Sequence, residues 1–578
     1  MKTKYELPLA LLAGAIAAFI FSGCSEIPPT RVEVPNVTIN GYPVPMTLDT
    51  GAGGLLLTQS GANQAGLKYD SPPRAATLVI NDMTATFSEP TRIQAGGREV
   101  TMPITVLPLP WYMRWPLAGD FTGLFGWDTI KDNILVFDSD RHVITVVDEL
   151  PAETADWLKL KVHPDGNLVL ETLLPDGKTG LILVDTGSPL GLGLPQAEFK
   201  KWRAAHPHAS LVREFYGAMD KADAWSFDYY DYWADDINFF SLTFTHMPVH
   251  TEFSIESSFV GSIGMYALAQ MDMVVDGKNG LAYLRTKKPD ADHAQAISQE
   301  APVHAPAIKG DWVFEGDIQL NPVHSFLDSA NYKLGAKDNQ GALADLEQVL
   351  KLEPDNEHAR WLVAMVKLQE RDFTGALPDW DRLLQLKPDN IDYAMNRGWV
   401  RLHLGDYDGS IADCSNVLKT HPDNKTAFLW RGLNEEIKGD FVAALADYDE
   451  VIKLKPDDSV YPRLYRQMVL LQLNQPAENF GQVVVTWKDG WGKTLGQYVV
   501  GGIQERALLK AAEDKKNPPV SGHQCEAYYF IGMMHLLKGD LAAARAAWQQ
   551  AFATGELDYY EYLFAKAELA RLDNPAPK

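Results

Sequence analysis

The chain has 578 residues, of which 52 are basic and 76 acidic, so its formal net charge is −24. Hydrophobic residues make up 46% and charged residues 22%, ordinary values for chains that bury full cores, which exclude a collagen, a disordered tail and a multi-span membrane protein. The acidic excess argues against nucleic acid as a partner, and the length corresponds to about three or four domains. The three cysteines (Cys24, Cys414 and Cys525) are too few for a disulfide scaffold, and no CxxC pair is present for zinc.

The N-terminal residues have the features of an export signal. A basic start is followed by an apolar run (residues 7–21) that is short for a bilayer-spanning helix of about 20 residues. Cys24, directly after Ser-Gly, resembles the acylated cysteine of a bacterial lipoprotein signal. The resemblance implies a signal peptide with its lipidation site in residues 1–24; an uncleaved N-terminal anchor is the alternative. The body would then be tethered in the bacterial cell envelope and face the periplasm, and Ser25 resembles an outer-membrane signal.

From Val32 onward, short apolar stretches alternate with turn residues, which is typical of β-structure. Asn40-Gly41 predicts a two-residue hairpin whose second strand, residues 46–48, runs directly into Asp49. A later apolar stretch, residues 181–184, runs into Asp185 in the same way. Each aspartate opens an Asp-Thr-Gly triplet at the end of an apolar strand, and two such copies indicate more than chance.

The surroundings of the two triplets repeat as well. A Gly-Leu-Phe-Gly segment at residues 123–126 follows the first triplet, and Gly-Ser-Ile-Gly at residues 261–264 follows the second at a similar distance. Each segment is followed by a predicted hairpin, at residues 134–146 and 273–284. Matching order and spacing indicate an internal duplication.

These residues resemble the aspartic peptidases, particularly the bacterial retropepsin-like group. The resemblance implies a mainly-β, bilobal, pepsin-style domain, with lobe 1 at residues 31–150 and lobe 2 at residues 151–286. It implies that Asp49 and Asp185 form the catalytic dyad of an endopeptidase without metal or cofactor, acting on a peptide or protein substrate. The residues implied to support the dyad are Thr50, Gly51, Ala52, Thr186, Gly187 and Ser188.

The chemistry of such a pair needs one ionised and one protonated carboxyl, with a water between them. Two carboxyls about 3 Å apart cannot both ionise, an effect for which the aspartic proteases are the usual example. Glycine after the aspartate lets the backbone turn tightly and approach the partner loop, while a threonine hydroxyl can lock the two loops together. A hydroxyl from Ser188 would favour the charged form of Asp185, which is therefore predicted to be the more readily ionised acid.

The resemblance to aspartic peptidases implies a glycine-bearing hairpin, the flap, that covers the cleft. No clear flap is evident between residues 72 and 88. Asn81-Asp82 and, in the second half, Tyr216-Gly217 are candidates for its turn. The alternative to an active peptidase is therefore a relative in which both loops survive as hydrogen-bonded turns in a binding domain.

Residues 287–315 lack periodicity and are predicted to be a linker. Beyond them, prolines recur at intervals of 34 residues, at Pro354, Pro388, Pro422 and Pro456. A period of 34 with paired amphipathic helices is the tetratricopeptide signature. The pattern predicts an all-α solenoid of four repeats at residues 321–458, followed by degenerate and terminal repeat-like helices at residues 459–572.

Stacked helix pairs present extended binding surfaces, so the repeats are predicted to dock a protein partner or substrate; a purely spacing or stabilising array is the alternative. Two hypotheses follow. The first is an exported, lipid-tethered aspartic endopeptidase whose repeats recruit substrate or partner. The second is a catalytically inactive protease-like scaffold that acts as a repeat adaptor in the envelope.

Overall fold

A computed structural model describes most of the chain, in two compact units at Met1–Pro354 and Asp355–Lys578. The described residues are 32–69, 79–80, 83–84, 86–107, 122–164, 166–174, 176–187, 191–219, 225–252, 259–287, 312–456, 459–475, 479–513 and 520–573. The predicted leader with Cys24 lies outside them, as do Ser188, Asn81, Asp82 and residues 288–311 of the predicted linker. Among the described helices, none combines the length and apolar character needed to cross a membrane.

The first unit contains both halves of the predicted β-domain. The strands of lobe 1 are β1 (Val32–Val34), β2 (Thr38–Ile39), β3 (Tyr42–Pro43), β4 (Met46–Asp49), β5 (Leu55–Thr58), β6 (Val79–Ile80), β7 (Met83–Thr84), β8 (Thr86–Phe87), β9 (Thr91–Ala95), β10 (Arg98–Met102), β11 (Thr105–Leu107), β12 (Gly123–Gly126), β13 (Ile134–Asp138) and β14 (Val143–Val147). Its helices are α1 (Gln59–Gln64) and α2 (Trp127–Ile130).

Lobe 2 repeats this pattern after a short 3₁₀ helix, Ala152–Asp156. Its strands are β15 (Leu158–Val162), β16 (Val169–Leu173), β17 (Thr179–Asp185), β18 (Leu192–Pro195), β19 (Leu211–Met219), β20 (Trp225–Phe239), β21 (Leu242–Glu252), β22 (Phe259–Gly264), β23 (Met271–Asp276) and β24 (Leu281–Thr286). Its helices are α3 (Gln196–Ala205) and α4 (Met265–Leu268).

The duplication is visible in the strand pairing. In lobe 1 the predicted Gly-Leu-Phe-Gly segment is β12, which runs parallel to β4 with Gly126 opposite Asp49. In lobe 2 the Gly-Ser-Ile-Gly segment lies in β22, which runs parallel to β17 with Gly264 opposite Asp185. Strands β13 and β23 pair antiparallel and join the two lobes in one sheet. Both acid-bearing strands therefore end at equivalent places of a repeated arrangement.

The hairpin at Asn40-Gly41 is present, but its second strand was predicted wrongly. Asn40 and Gly41 have φ of 52° and 82°, the left-handed conformation that a two-residue hairpin turn requires. The strands on either side are β2 and β3, with Ile39 opposite Tyr42. Met46–Asp49 is a separate strand that pairs with β1 and β12. Each strand of this hairpin has only two residues. The chain can therefore pass to another sheet before it reaches Asp49.

The end of the predicted linker is part of the β-domain. Strand β25 (Val313–Glu315) pairs in parallel with β14 and with β1. Trp312 and Phe314 are 2% and 1% exposed, so burial of their apolar surface holds this strand in place.

The first helix pair, α5 (Val323–Gly335) and α6 (Asn339–Leu352), also lies in the first unit. The second unit continues the helical array. Its helices are α7 (Glu357–Gln369), α8 (Phe373–Leu386), α9 (Ile391–Leu404), α10 (Tyr407–Thr420), α11 (Lys425–Lys438), α12 (Phe441–Leu454), α13 (Val460–Gln472), α14 (Phe480–Thr486), α15 (Trp491–Val499), α16 (Glu505–Ala512), α17 (Val520–Leu537), α18 (Leu541–Ala553) and α19 (Tyr560–Asp573).

The regular spacing of these helices has a local cause. The side chains of Asp338, Asp372, Asp406 and Asp440 each accept a hydrogen bond from the backbone N–H three residues on and so cap the second helix of a repeat. Asn356, Asn390 and Asn424 cap first helices in the same way. Cys414 packs in a helical core beside Trp380 and, like Cys525, is a buried free thiol.

Candidate active site

The two predicted acids lie at the ends of buried strands and are themselves buried. Asp49 is 1% exposed and Asp185 5% exposed. Each accepts a hydrogen bond on Oδ1 from the glycine N–H of its own triplet, at 3.0 Å from Gly51 and 2.9 Å from Gly187. The N–H of Ala52 donates to the backbone oxygen of Asp49 at 3.1 Å and closes the turn. Each carboxylate is therefore held in a fixed orientation by its own loop.

The threonines of the two triplets lock the loops to each other, as predicted. The N–H of Thr50 donates to Oγ1 of Thr186 at 3.0 Å, and the N–H of Thr186 donates to Oγ1 of Thr50 at 3.1 Å. Each hydroxyl then donates to a backbone oxygen before the opposite aspartate, Val184 at 2.8 Å and Leu48 at 3.2 Å. Both threonines are 0% exposed. Because these four bonds are buried away from the surface, they fix the distance between the loops.

The triplet glycines are required for space. A Cβ on Gly51 would lie 2.5 Å from Cγ of Asp185, and a Cβ on Gly187 would lie 2.7 Å from Cγ of Asp49. Each carboxyl thus packs directly over the glycine of the opposite triplet. Neither glycine has the positive φ that would demand glycine for its backbone conformation. The sequence analysis expected these glycines to allow either a tight backbone turn or a close approach to the partner loop. Close approach is the reason that applies here.

Burial perturbs the ionisation of the Asp49 carboxyl. Burial raises the pKa of Asp49 to about 6, although the hydrogen bonds with Asp185, Gly51 and Ala52 act in the opposite direction. Asp49 therefore retains its proton to a higher pH than an ordinary aspartate does. The predicted role of Ser188 in ionising Asp185 concerns a residue outside the described ones and stays a prediction.

The loop after the first triplet is held by three consecutive N–H groups. Gly126 donates to the oxygen of Gly54 at 2.9 Å, Trp127 to that of Ala52 at 2.8 Å, and Asp128 to that of Gly53 at 2.8 Å. In lobe 2 the N–H of Gly264 donates likewise to the oxygen of Gly191 at 2.9 Å. The glycine segments noted in the sequence thus support the acid-bearing loops from behind.

Of the two candidates for the flap turn, the structure describes only Tyr216-Gly217. Strands β6 and β7 pair antiparallel, with Ile80 opposite Met83, whereas Asn81-Asp82 lies outside the described residues and stays a prediction. Tyr216 and Gly217 are inside strand β19, opposite Asp228 and Phe227 of β20, so the prediction of a turn there is wrong. The pair lies within a nine-residue strand that continues to Met219.

Two residues behind the first loop were missed by sequence reasoning. Asp128 carries a carboxyl that is 3% exposed, and His324 of helix α5 lies 3.0 Å from it. Asp128 follows the repeated glycine segment by two residues, which is a signal of its location; nothing local marks His324. Within the described part of the chain, no group of three or more histidine, cysteine, aspartate or glutamate side chains is arranged to hold a metal ion.

Comparison with known proteins supports both parts of this architecture. A family model described as aspartyl protease matches residues 35–129, and one described as tetratricopeptide repeat matches residues 327–391, 364–418 and 395–459. Comparison with curated proteins finds no match.

Solved structures with similarity to the chain include helical-repeat proteins. A tetratricopeptide repeat protein from Parabacteroides merdae is 17% identical with a TM-score of 0.32, and covers 43% of this chain and 98% of its own. PilW, a type IV pilus biogenesis factor, is 19% identical with a TM-score of 0.27, covering 42% and 97%. MamA from Desulfovibrio magneticus is 16% identical with a TM-score of 0.27, covering 28% and 93%. From its family matches, the chain carries an aspartyl protease domain and C-terminal tetratricopeptide repeats.

Proposed function

We propose that this protein is an aspartic endopeptidase that hydrolyses peptide bonds with a water activated between Asp49 and Asp185. The observation that carries the proposal is the reciprocal geometry of the two triplets. Each carboxyl is held by its own glycine N–H and packs directly over the glycine of the opposite triplet. A pair of loops that served only as turns would not need two buried acids placed over each other's glycines, because burying carboxyls costs free energy.

The proposed mechanism assigns different roles to the two acids. Asp185, in its ionised form, takes a proton from the water as the water oxygen adds to the substrate carbonyl. Asp49, protonated, donates its hydrogen to the carbonyl oxygen and stabilises the tetrahedral intermediate. Asp185 then passes the proton it took from the water to the leaving nitrogen, and Asp49 takes its proton back from the hydroxyl of the intermediate as the C–N bond breaks. Since Asp49 must be protonated and its pKa is raised to about 6, turnover should fall as the pH rises through that value.

Asp49→Asn and Asp185→Asn test the proposal directly. Purified full-length chain is incubated with a mixed peptide library from about pH 3 to about pH 8, and cleavage is followed by mass spectrometry. We expect cleavage by the wild type and loss of cleavage in both variants. Asp148→Asn, at an exposed position after β14, is the matched control and should cleave as the wild type does. A folded wild-type protein that cleaves nothing would favour the adaptor hypothesis.

We propose further that the chain is exported and anchored through an acylated Cys24, with its body in the periplasm at the outer membrane. The sequence features given above support this. Metabolic labelling with an alkyne fatty acid should mark the wild-type protein and leave Cys24→Ser unlabelled. Recovery of unlabelled wild-type protein in the soluble fraction of the cell would contradict the anchor.

The helical repeats are proposed to dock a protein partner or a protein substrate, as tetratricopeptide repeats generally do. A photo-crosslinking residue placed at Asp392 on helix α9, or at Asn416 on helix α10, compares two exposed positions on the two helices of one repeat. Docking on one face predicts cross-linked products from only one of the two positions. Absence of products from both positions, or equal yields from them, would contradict docking on a single face of this repeat.

A further inference from the structure

The helix that begins the repeat array reaches the loop that carries Asp49. Asn321 marks its start: the Asn321 N–H donates to the oxygen of Thr129 at 2.6 Å, and its side-chain amide donates to Asp132 at 2.8 Å. The Asn321 carboxamide oxygen in turn accepts the N–H of Val323 at 2.8 Å. The first turn of helix α5 is therefore fixed against residues 129–132, immediately after Asp128.

His324, in this first turn, bridges two carboxylates. Its Nδ1 is 3.0 Å from Oδ2 of Asp128, and its Nε2 is 3.2 Å from Oδ2 of Asp328, one helical turn on. Lys131 contacts the other oxygen of Asp128 at 3.2 Å. The cluster holds two negative and two positive charges when the imidazole is protonated. Burial opposes that protonation, but the two carboxylates outweigh it and hold the pKa of His324 well above its ordinary value.

The same imidazole covers the backbone of the active-site loop. Its Cδ2 lies 3.3 Å from the point that a Cβ on Gly54 would occupy, and its Nε2 lies 3.8 Å from the corresponding point on Gly53. The loop is thus held between the N–H groups of residues 126–128 on one side and the His324 ring on another. Asp128 takes part in both contacts, because its N–H binds Gly53 and its carboxylate binds His324.

The contact of His324 with Asp128, Gly53 and Gly54 is called the clasp of His324 below. The described residues of lobe 2 include no counterpart of it. Because Gly126 and Gly264 occupy equivalent positions opposite the two acids, the equivalent of Asp128 is Tyr266. Tyr266 packs edge-on against Trp233, with ring centroids 6.1 Å apart. The position equivalent to Asp128 in lobe 2 therefore carries an aromatic side chain and no carboxylate.

We infer that His324 is a positioning residue for the peptidase centre, which holds the Asp49 loop in its active geometry through Asp128, Gly53 and Gly54. The inference rests on the proposed peptidase activity and adds to it a residue from the helical part of the chain. A loop shift of about 1 Å is enough to lower a catalytic rate by up to about 100-fold, so a contact of this kind can control turnover without touching substrate.

Kinetics of full-length His324→Gln test the role when the wild type is active. We expect kcat to fall about tenfold while KM changes less than about twofold, because substrate contacts are retained and the dyad is displaced. His206→Gln replaces an exposed histidine at the end of helix α3 and should keep wild-type kinetics. Thermal unfolding confirms that each variant is folded. An unchanged kcat in His324→Gln would overturn the inference.

A second measurement does not need activity. Full-length protein is labelled with ¹³C-carbonyl alanine and ¹⁵N-glycine for NMR. A spectrum that selects directly bonded ¹³C–¹⁵N pairs shows only the amides of glycines that follow an alanine, among them that of Gly53 after Ala52. We expect the chemical shift of the Gly53 amide to change with pH as His324 titrates. The change should disappear in His324→Gln. It should occur at lower pH in Asp328→Asn, which removes one carboxylate.

The two measurements separate the possible failures. A Gly53 amide that ignores the titration of His324 overturns the positioning role even if peptides are cleaved. A wild type that cleaves nothing overturns the peptidase proposal, while the coupling of Gly53 to His324 can still be measured.

Discussion

Replacing Gly187 by alanine tests whether the contact between the two triplets sets the geometry of the dyad. The alanine Cβ would lie 2.7 Å from both Cγ and Oδ2 of Asp49. The backbone of Gly187 is outside the left-handed region, so alanine brings no conformational strain of its own. The substitution therefore acts only through the Asp49 carboxyl.

The size of the effect follows from these distances. Carbon atoms in favourable contact are about 3.5–4.0 Å apart, so the carboxyl or its loop must move by roughly 1 Å. The movement is resisted by the Gly51 N–H bond to Asp49 and by the buried threonine bonds. A displacement of about 1 Å in a catalytic group can cost about 100-fold in rate, and we expect that loss in kcat for Gly187→Ala.

Steady-state kinetics on a peptide cleaved by the wild type measure the loss. The matched control is Gly481→Ala in helix α14, where the nearest atom to the new Cβ is 3.9 Å away. The control should keep wild-type kcat. A folded Gly187→Ala variant with a kcat within about threefold of wild type would refute the reasoning, because the carboxyl would then tolerate the displacement.

Three further predictions concern stability. Thr50→Val leaves the oxygen of Val184 and the N–H of Thr186 without their buried hydrogen bonds and should lower the free energy of unfolding by about 2–4 kcal/mol in denaturant titrations. Three buried glutamates of the second unit have pKa values raised by burial to about 8, about 8 and about 7. They are Glu436, Glu526 and Glu561. Because these groups bind protons more tightly when folded, stability of this unit should fall as the pH rises from about 4.5 to about 8, lowering its melting temperature by roughly 10 °C in calorimetry; a flat profile would contradict it. A fragment ending at Pro354 should fold with the dyad intact, whereas one ending at Thr286 loses β25 and should not, as circular dichroism can establish.

The parts of the fold that depend on local chemistry could be predicted from the sequence. The 34-residue period follows from caps such as Asp372, whose partner is three residues away. The triplets were recognisable because an apolar strand running into Asp-Thr-Gly is itself a local pattern. A second feature with the same period was overlooked. Asp345, Asp379, Asp413 and Asp447 are buried and ion-paired within their own repeats.

The parts that depend on distant contacts could not be predicted. Residues 312–322 have no period because several of them meet different partners in lobe 1. Asp317 accepts the Gly97 N–H at 3.0 Å, and Gln319 exchanges two bonds of 2.8 Å with Asn133. Such a segment has the composition of a linker, although it is bound along its length. The role of His324 could not be predicted for the same reason, because its partner Asp128 is far away in the sequence.

A duplicated fold gives its two acids nearly the same surroundings, but hydrolysis by an acid pair requires that one be charged and the other neutral. The triplets themselves provide little difference, since their glycine and threonine contacts are reciprocal. The difference must come from positions where the two halves carry different residues, such as Asp128 in lobe 1 and Tyr266 in lobe 2, or Ala52 and Ser188. Among the described residues, His324 contacts the loop on the Asp49 side, and we infer that the segment following the β-domain contributes to the asymmetry that the proposed chemistry needs.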